Sequence, residues 1–158
     1  MLCLGFLLIC LDPVLTLRTV FSFSASEQLL WYYFQILPDL HLPHPGKEPT
    51  AFIVICQDTS IDANLSRFQR DVGIVAQTML LTAVEMGLGG CMIGNFNAGS
   101  LHDAIGLDEP IRPLLIIAIG KPDEEVILTD VVNGKTGYYR DEQDRHYVPK
   151  MKLEDLVI

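Results

Sequence analysis

The chain has 158 residues, 49% of them hydrophobic, and carries 11 Lys and Arg against 20 Asp and Glu, a formal charge of -9. This apolar content excludes an intrinsically disordered chain and suffices for the core of one globular domain spanning residues 1–158. The acidic balance excludes general affinity for nucleic acid or anionic membrane, both of which recruit basic patches, and leaves a small ligand or another protein chain as the expected partner.

In chain order, the apolar start MLCLGFLLIC has neither the basic n-region nor the small-residue cleavage site of a signal peptide, and it is too short for a membrane span. Residues 6–10 are read as a buried strand. Asp12-Pro13 has the chemistry of a helix start and predicts a short helix over 14–23. The aromatic stretch Trp31, Tyr32, Tyr33, Phe34 has weak helical periodicity and suits a core. LPDLHLPHPGKEPT at 37–50 holds four prolines and a glycine and predicts an extended loop. His41 and His44 lie in it, but the prolines break any helix that would align them, and no metal site is read here.

AFIVIC at 51–56 is a short continuous apolar run rich in β-branched residues, which predicts a central strand buried on both faces. Asp58, Thr59 and Ser60 offer turn chemistry before a helix predicted over about 62–86, roughly 35 Å long at 1.5 Å per residue. From Asp71 onward its strongly polar positions are Asp71, Gln77, Thr78, Thr82 and Glu85, while apolar side chains occupy most other directions around the axis. A helix apolar nearly all round must be buried nearly all round, and a chain this small has few elements to cover it. A second subunit is therefore expected against it.

GLGGCMIGNFNAG follows at 87–99. Gly87 suits the positive φ that ends a helix. The run is no dinucleotide fingerprint, because Met92 stands where the third glycine belongs, and no P-loop, because Asn95 and Phe96 follow Gly94 instead of Lys and Ser or Thr. Residues 91–93 read as a short extended segment, 100–105 as a short helix with Ser100 as cap, and PLLIIAIG at 113–120 as another buried strand. From Pro122 the chain is charged and irregular, the pattern of a solvated face or end. The four cysteines, Cys3, Cys10, Cys56 and Cys91, form no CxxC pair and three lie in apolar runs, which is read as reduced thiols in a cytoplasmic protein. Cys91 is expected to be buried packing, since it lacks a His partner: His102 lies past a turn without a residue to orient it. Strands separated by helices indicate a mixed α/β sandwich.

Taken together, DVGIVAQTMLLTAVEMGLGGCMIGNF at 71–96 and LHDAIGLDEPIRPLLIIAIGKPDE at 101–124 resemble the FMN-dependent nitroreductase family. PTAFIVICQDT at 49–59 is similar to a strand of one subgroup, and HYVPKMKLEDLVI resembles the family's C-terminal end. The Arg-rich N-terminal motif of the family is not found in this sequence, so the resemblance implies an N-terminally shortened member.

The resemblance implies an α+β, nitroreductase-like mixed α/β sandwich, with a central sheet flanked by helices, in an intertwined homodimer. It implies FMN as cofactor, NAD(P)H as co-substrate, and a nitro, quinone or similar small-molecule acceptor. Met92 and Ile93 would then pack along the flavin ring, the N–H groups of Gly94 and Asn95 would face its N5 and O4 edge, and Lys150 and Lys152 would reach the FMN phosphate. Glycine lets a backbone approach a flat ring without a Cβ between them, and two cations suit a dianionic phosphate. No catalytic side chain is assigned, because the flavin carries the hydride. A shortened, catalytically inert dimeric relative or weak flavin-binding module is the alternative.

Overall fold

The computed structural model describes residues 49–157 and the backbone of residues 19–24. The readings at 6–10, Asp12-Pro13, 31–34 and the two loop histidines lie outside the described residues. By its internal contacts the chain divides into two compact units, Met1–Pro122 and Asp123–Ile158.

The first unit is built on a four-stranded sheet. Its strands are β1 (Thr19–Ser24), β2 (Ala51–Asp58), β3 (Gly89–Ile93) and β4 (Ile111–Gly120), in the order β1-β2-β4-β3. All three pairings are antiparallel. The expected helix over 14–23 is corrected: Thr19–Ser24 is a strand, paired along its whole length with β2. The alternating, β-branched and aromatic sequence TVFSFS suits that pairing better than a helix.

Among the described residues, two helices lie on opposite faces of the sheet. Helix α1 (Gln69–Glu85) contributes Val72 and Ala76 to a cluster with Ile55 and Ile117, while α2 (Ala98–Ile105) contributes Leu101 to a cluster with Phe52, Val54, Cys56, Ile93, Ile116 and Ala118. β2 and β4 feed both clusters with alternate side chains, which is why their sequences are apolar without alternation. Pro113 in β4 cannot donate to a ladder, and the β2–β4 register shifts beside it, between Ile55 and Cys56. Burial pushes the Cys56 thiol up to about 12.

The long helix predicted over 62–86 starts later than expected, at Gln69. Side chains before it compete for the backbone. Asp58 Oδ1 accepts the Ser60 N–H at 3.0 Å, Asp62 Oδ1 that of Asn64 at 2.8 Å, and Asn64 Oδ1 that of Ser66 at 3.1 Å. These successive turns replace helical hydrogen bonds. The fully buried Gln57 fastens them from below, its Nε2 donating to the Asp62 carbonyl at 2.6 Å.

A second correction concerns α2. Its cap is Asn97, not Ser100: the Asn97 side chain accepts the Ser100 N–H at 2.9 Å.

The second unit corrects the reading of an irregular tail. It holds β5 (Val126–Asp130), β6 (Tyr139–Arg140) and β7 (His146–Lys150) in the order β5-β7-β6, followed by a 3-10 turn at Leu153–Asp155. β5 runs parallel to β7, and β6 antiparallel to it. Its charges build the turn between β6 and β7. Asp141 Oδ1 accepts the N–H groups of Gln143 and Arg145 at 3.0 and 2.9 Å, and Asp141 Oδ2 accepts the Tyr147 hydroxyl at 3.1 Å. Tyr147 in turn stacks on Tyr139, with ring centroids 4.9 Å apart. Burial works against the Asp141 carboxylate, but these bonds together with Arg145 hold it below the usual range.

Candidate functional site

The glycine run serves three different purposes. Gly87 takes φ 76° just past the end of α1. Gly90 lies where β3 passes between its neighbours: a Cβ there would stand 2.8 Å from Leu80 Cδ2 and closer still to the Ala118 carbonyl oxygen. Gly94 is under neither constraint. Its φ is not in the left-handed region, and a Cβ would meet nothing nearer than Leu115 Cδ1, at 4.0 Å. Among the described residues, the space beside Gly94 is open.

Among the described strands β3 is the edge of the sheet, and its pairing with β4 ends at Ile93. The N–H groups of Gly94 and Asn95 donate to no other described residue. Ile93 before them is buried in the core, and Phe96 after them packs against the same cluster. Asn97 then caps α2. Two amides are thus held between apolar anchors and a capped helix, a preorganised pair of donors for an acceptor-bearing ligand edge. Met92, 39% exposed, offers an apolar surface beside them, whereas the Ile93 side chain belongs to the interior.

Cys91 is exposed, which corrects the expectation that it is packing. His102 is better oriented than the sequence suggested. Its Nδ1 lies 3.2 Å from Asp103 Oδ1 and its Nε2 3.1 Å from the Asp108 carbonyl oxygen. The hydrogen bond to Asp103, then that to Asp108, raises its pKa. With both nitrogens facing acceptors it is a link across the end of α2, not a base for Cys91.

The two lysines belong to the second unit. Lys150 ends β7 and is exposed; Lys152 Nζ lies 3.5 Å from Asp130 Oδ2. Asp130 is also the partner of Lys150 in the β5–β7 register. Among the described residues no group of three or more His, Cys, Asp or Glu side chains could hold a metal, and no helix is long and apolar enough to cross a membrane.

Comparison with known proteins fits this architecture. The model of the nitroreductase family matches residues 23–121, more than half of the chain. The chain belongs to the nitroreductase family. Solved structures with the same fold include an FMN-dependent nitroreductase from Clostridium difficile, with TM-score 0.56 and 23% identity over 75% of this chain and 70% of that one. Nitroreductase A from Vibrio parahaemolyticus aligns with TM-score 0.55 and 24% identity over 71% of this chain and 52% of that one. A protein from Parabacteroides distasonis, named for NADH dehydrogenase and NAD(P)H nitroreductase activity, aligns with TM-score 0.52 and 24% identity over 67% and 62%. The chain therefore spans about half to two thirds of the length of the last two.

Within this nitroreductase fold the matched residues run from β1 to the end of β4 and include Met92, Ile93, Gly94 and Asn95; Lys150 and Lys152 lie beyond the match. Sequence reasoning missed Phe96 as an anchor, Asn97 as the cap and Asp130 beside the lysines. An Asn three residues before Ser100 was a readable capping signal; Asp130 has no local signal, because a parallel strand pairing brings it there.

Proposed function

We propose that this chain is an FMN-dependent NAD(P)H oxidoreductase that reduces nitro, quinone or related acceptors, working as a homodimer in the cytoplasm. The observation that carries the reading is the pair of N–H groups at Gly94 and Asn95, without partners among the described residues and beside the open space over Gly94. FMN fits these residues: a flat ring needs an approach that no Cβ blocks, and its polar edge needs fixed donors. When bound, FMN supplies the redox chemistry, taking hydride from NAD(P)H and handing it to the acceptor.

The chain's own residues then have distinct tasks. The Gly94 and Asn95 amides hold the ring edge and favour negative charge there. Met92, with the backbone at Ile93, offers surface along the ring. Lys150 and Lys152 supply positive charge for the phosphate. No side chain is needed as nucleophile.

The homodimer reading is supported by α1. Ile74, Leu81 and Val84 lie on one face of it and are 65%, 62% and 64% exposed, a cost that a second copy of the chain would remove.

The purified protein should absorb in the visible range as a flavoprotein and bleach on anaerobic addition of NADH or NADPH. A colourless protein that takes up no added FMN would overturn the reading.

A further inference from the structure

We infer that Asp130 is a built-in counter-anion of the Lys150 and Lys152 pair and sets how tightly a phosphate monoester is held there. The inference rests on the reading of these lysines as phosphate ligands.

Asp130 ends β5 as Lys150 ends β7, and the two are partners in the parallel register. The Val131 N–H donates to the Lys150 carbonyl at 3.2 Å, so the two strands stay fastened beyond their last paired residues. The backbone therefore delivers the Asp130 carboxylate to the lysines, and its Oδ2 stands 3.5 Å from Lys152 Nζ. Among the described residues no other carboxylate lies within ion-pair distance of Lys152. Lys152 is 51% exposed and Asp130 66%, so water weakens their attraction and the pair can open.

A phosphate monoester brings up to two negative charges and three acceptor oxygens, against one charge on Asp130, and so takes Lys152 from it. The β5–β7 pairing fixes the Asp130 backbone beside the lysines. Its charge stays beside the bound phosphate and opposes it, so that Asp130 holds the lysine side chain in place and also limits affinity.

The test titrates flavin-free protein with FMN and with riboflavin, which lacks the phosphate, following flavin fluorescence. Asp130→Asn should tighten FMN binding by about three- to fivefold, the scale of an exposed ion pair, and leave riboflavin binding unchanged. Asp130→Ser repeats the measurement with a smaller side chain. Unchanged or weaker FMN binding in both variants, or equal shifts for the two ligands, would overturn the inference. The double variant Lys150→Ala/Lys152→Ala separates the two levels. If it keeps the wild-type preference for FMN over riboflavin, the lysine assignment itself fails. If it loses that preference while the Asp130 variants bind like wild type, only the role of Asp130 fails.

Discussion

Gly90 passes Leu80 so closely that a Cβ on the strand residue would stand 2.8 Å from the Leu80 Cδ2 atom of α1. The Ala118 carbonyl oxygen, on the neighbouring strand, would be closer still. A backbone atom cannot rotate away as a side chain can, so β3 would have to shift off β4. Gly90→Ala should therefore destabilise the fold by about 1–3 kcal/mol.

Gly94→Ala should behave in the opposite way. With open space around a Cβ and an ordinary φ, its stability should stay within about 0.5 kcal/mol of wild type. FMN binding should weaken, because the added methyl occupies the approach. Urea unfolding and a fluorescence titration, run on both variants, check the contrast; Gly94→Ala with full FMN affinity would remove this site from the proposal.

The outer face of α1 gives a test of assembly. Leu81→Lys and Val84→Glu place charges at positions 62% and 64% exposed in the single chain, where neither should disturb the core. If a second copy covers this face, each charge becomes buried without a partner and the dimer should dissociate. Light scattering coupled to size exclusion reads the mass directly; an unchanged mass for both variants would place the interface elsewhere.

Asn97→Ala should cost about 1 kcal/mol through loss of the side-chain bond to the Ser100 N–H. Ser100→Ala leaves that N–H in place and should cost much less. Denaturant midpoints of the two variants distinguish the caps.

His102 confers a pH dependence with a definite sign. Only the imidazolium can donate to both Asp103 and the Asp108 carbonyl, and these bonds raise the folded pKa above the ordinary 6.5, against opposition from desolvation and then Arg112. A raised folded value means that the stabilisation is complete below the unfolded pKa and is lost as pH rises through the folded one. The difference in melting temperature between wild type and His102→Gln should thus be largest near pH 5.5 and shrink at about pH 8. A pH-independent difference would contradict it.

What the sequence determined by itself was set by short-range rules. The unbroken apolar runs at 51–56 and 113–120 had to be strands covered on both faces, and β2 and β4 are such strands. Gly87 had to end α1, because few other residues take positive φ without strain. The order of these motifs also carried the family, which the match over 23–121 bears out.

Only the tertiary structure decided the rest, because the deciding partners are distant in sequence. A helix at 14–23 and a strand at Thr19–Ser24 differ through pairing with β2, more than twenty residues away. The charged tail became a sheet because β5 found β7 across residues 131–145, which include β6. In the run GLGGCMIGNFNAG the glycines look alike, yet Gly90 answers to Leu80 and Ala118 while Gly94 answers to no neighbour within close contact. Local pattern cannot separate a glycine needed for internal packing from one with open surroundings, since the difference lies in what the fold brings opposite each.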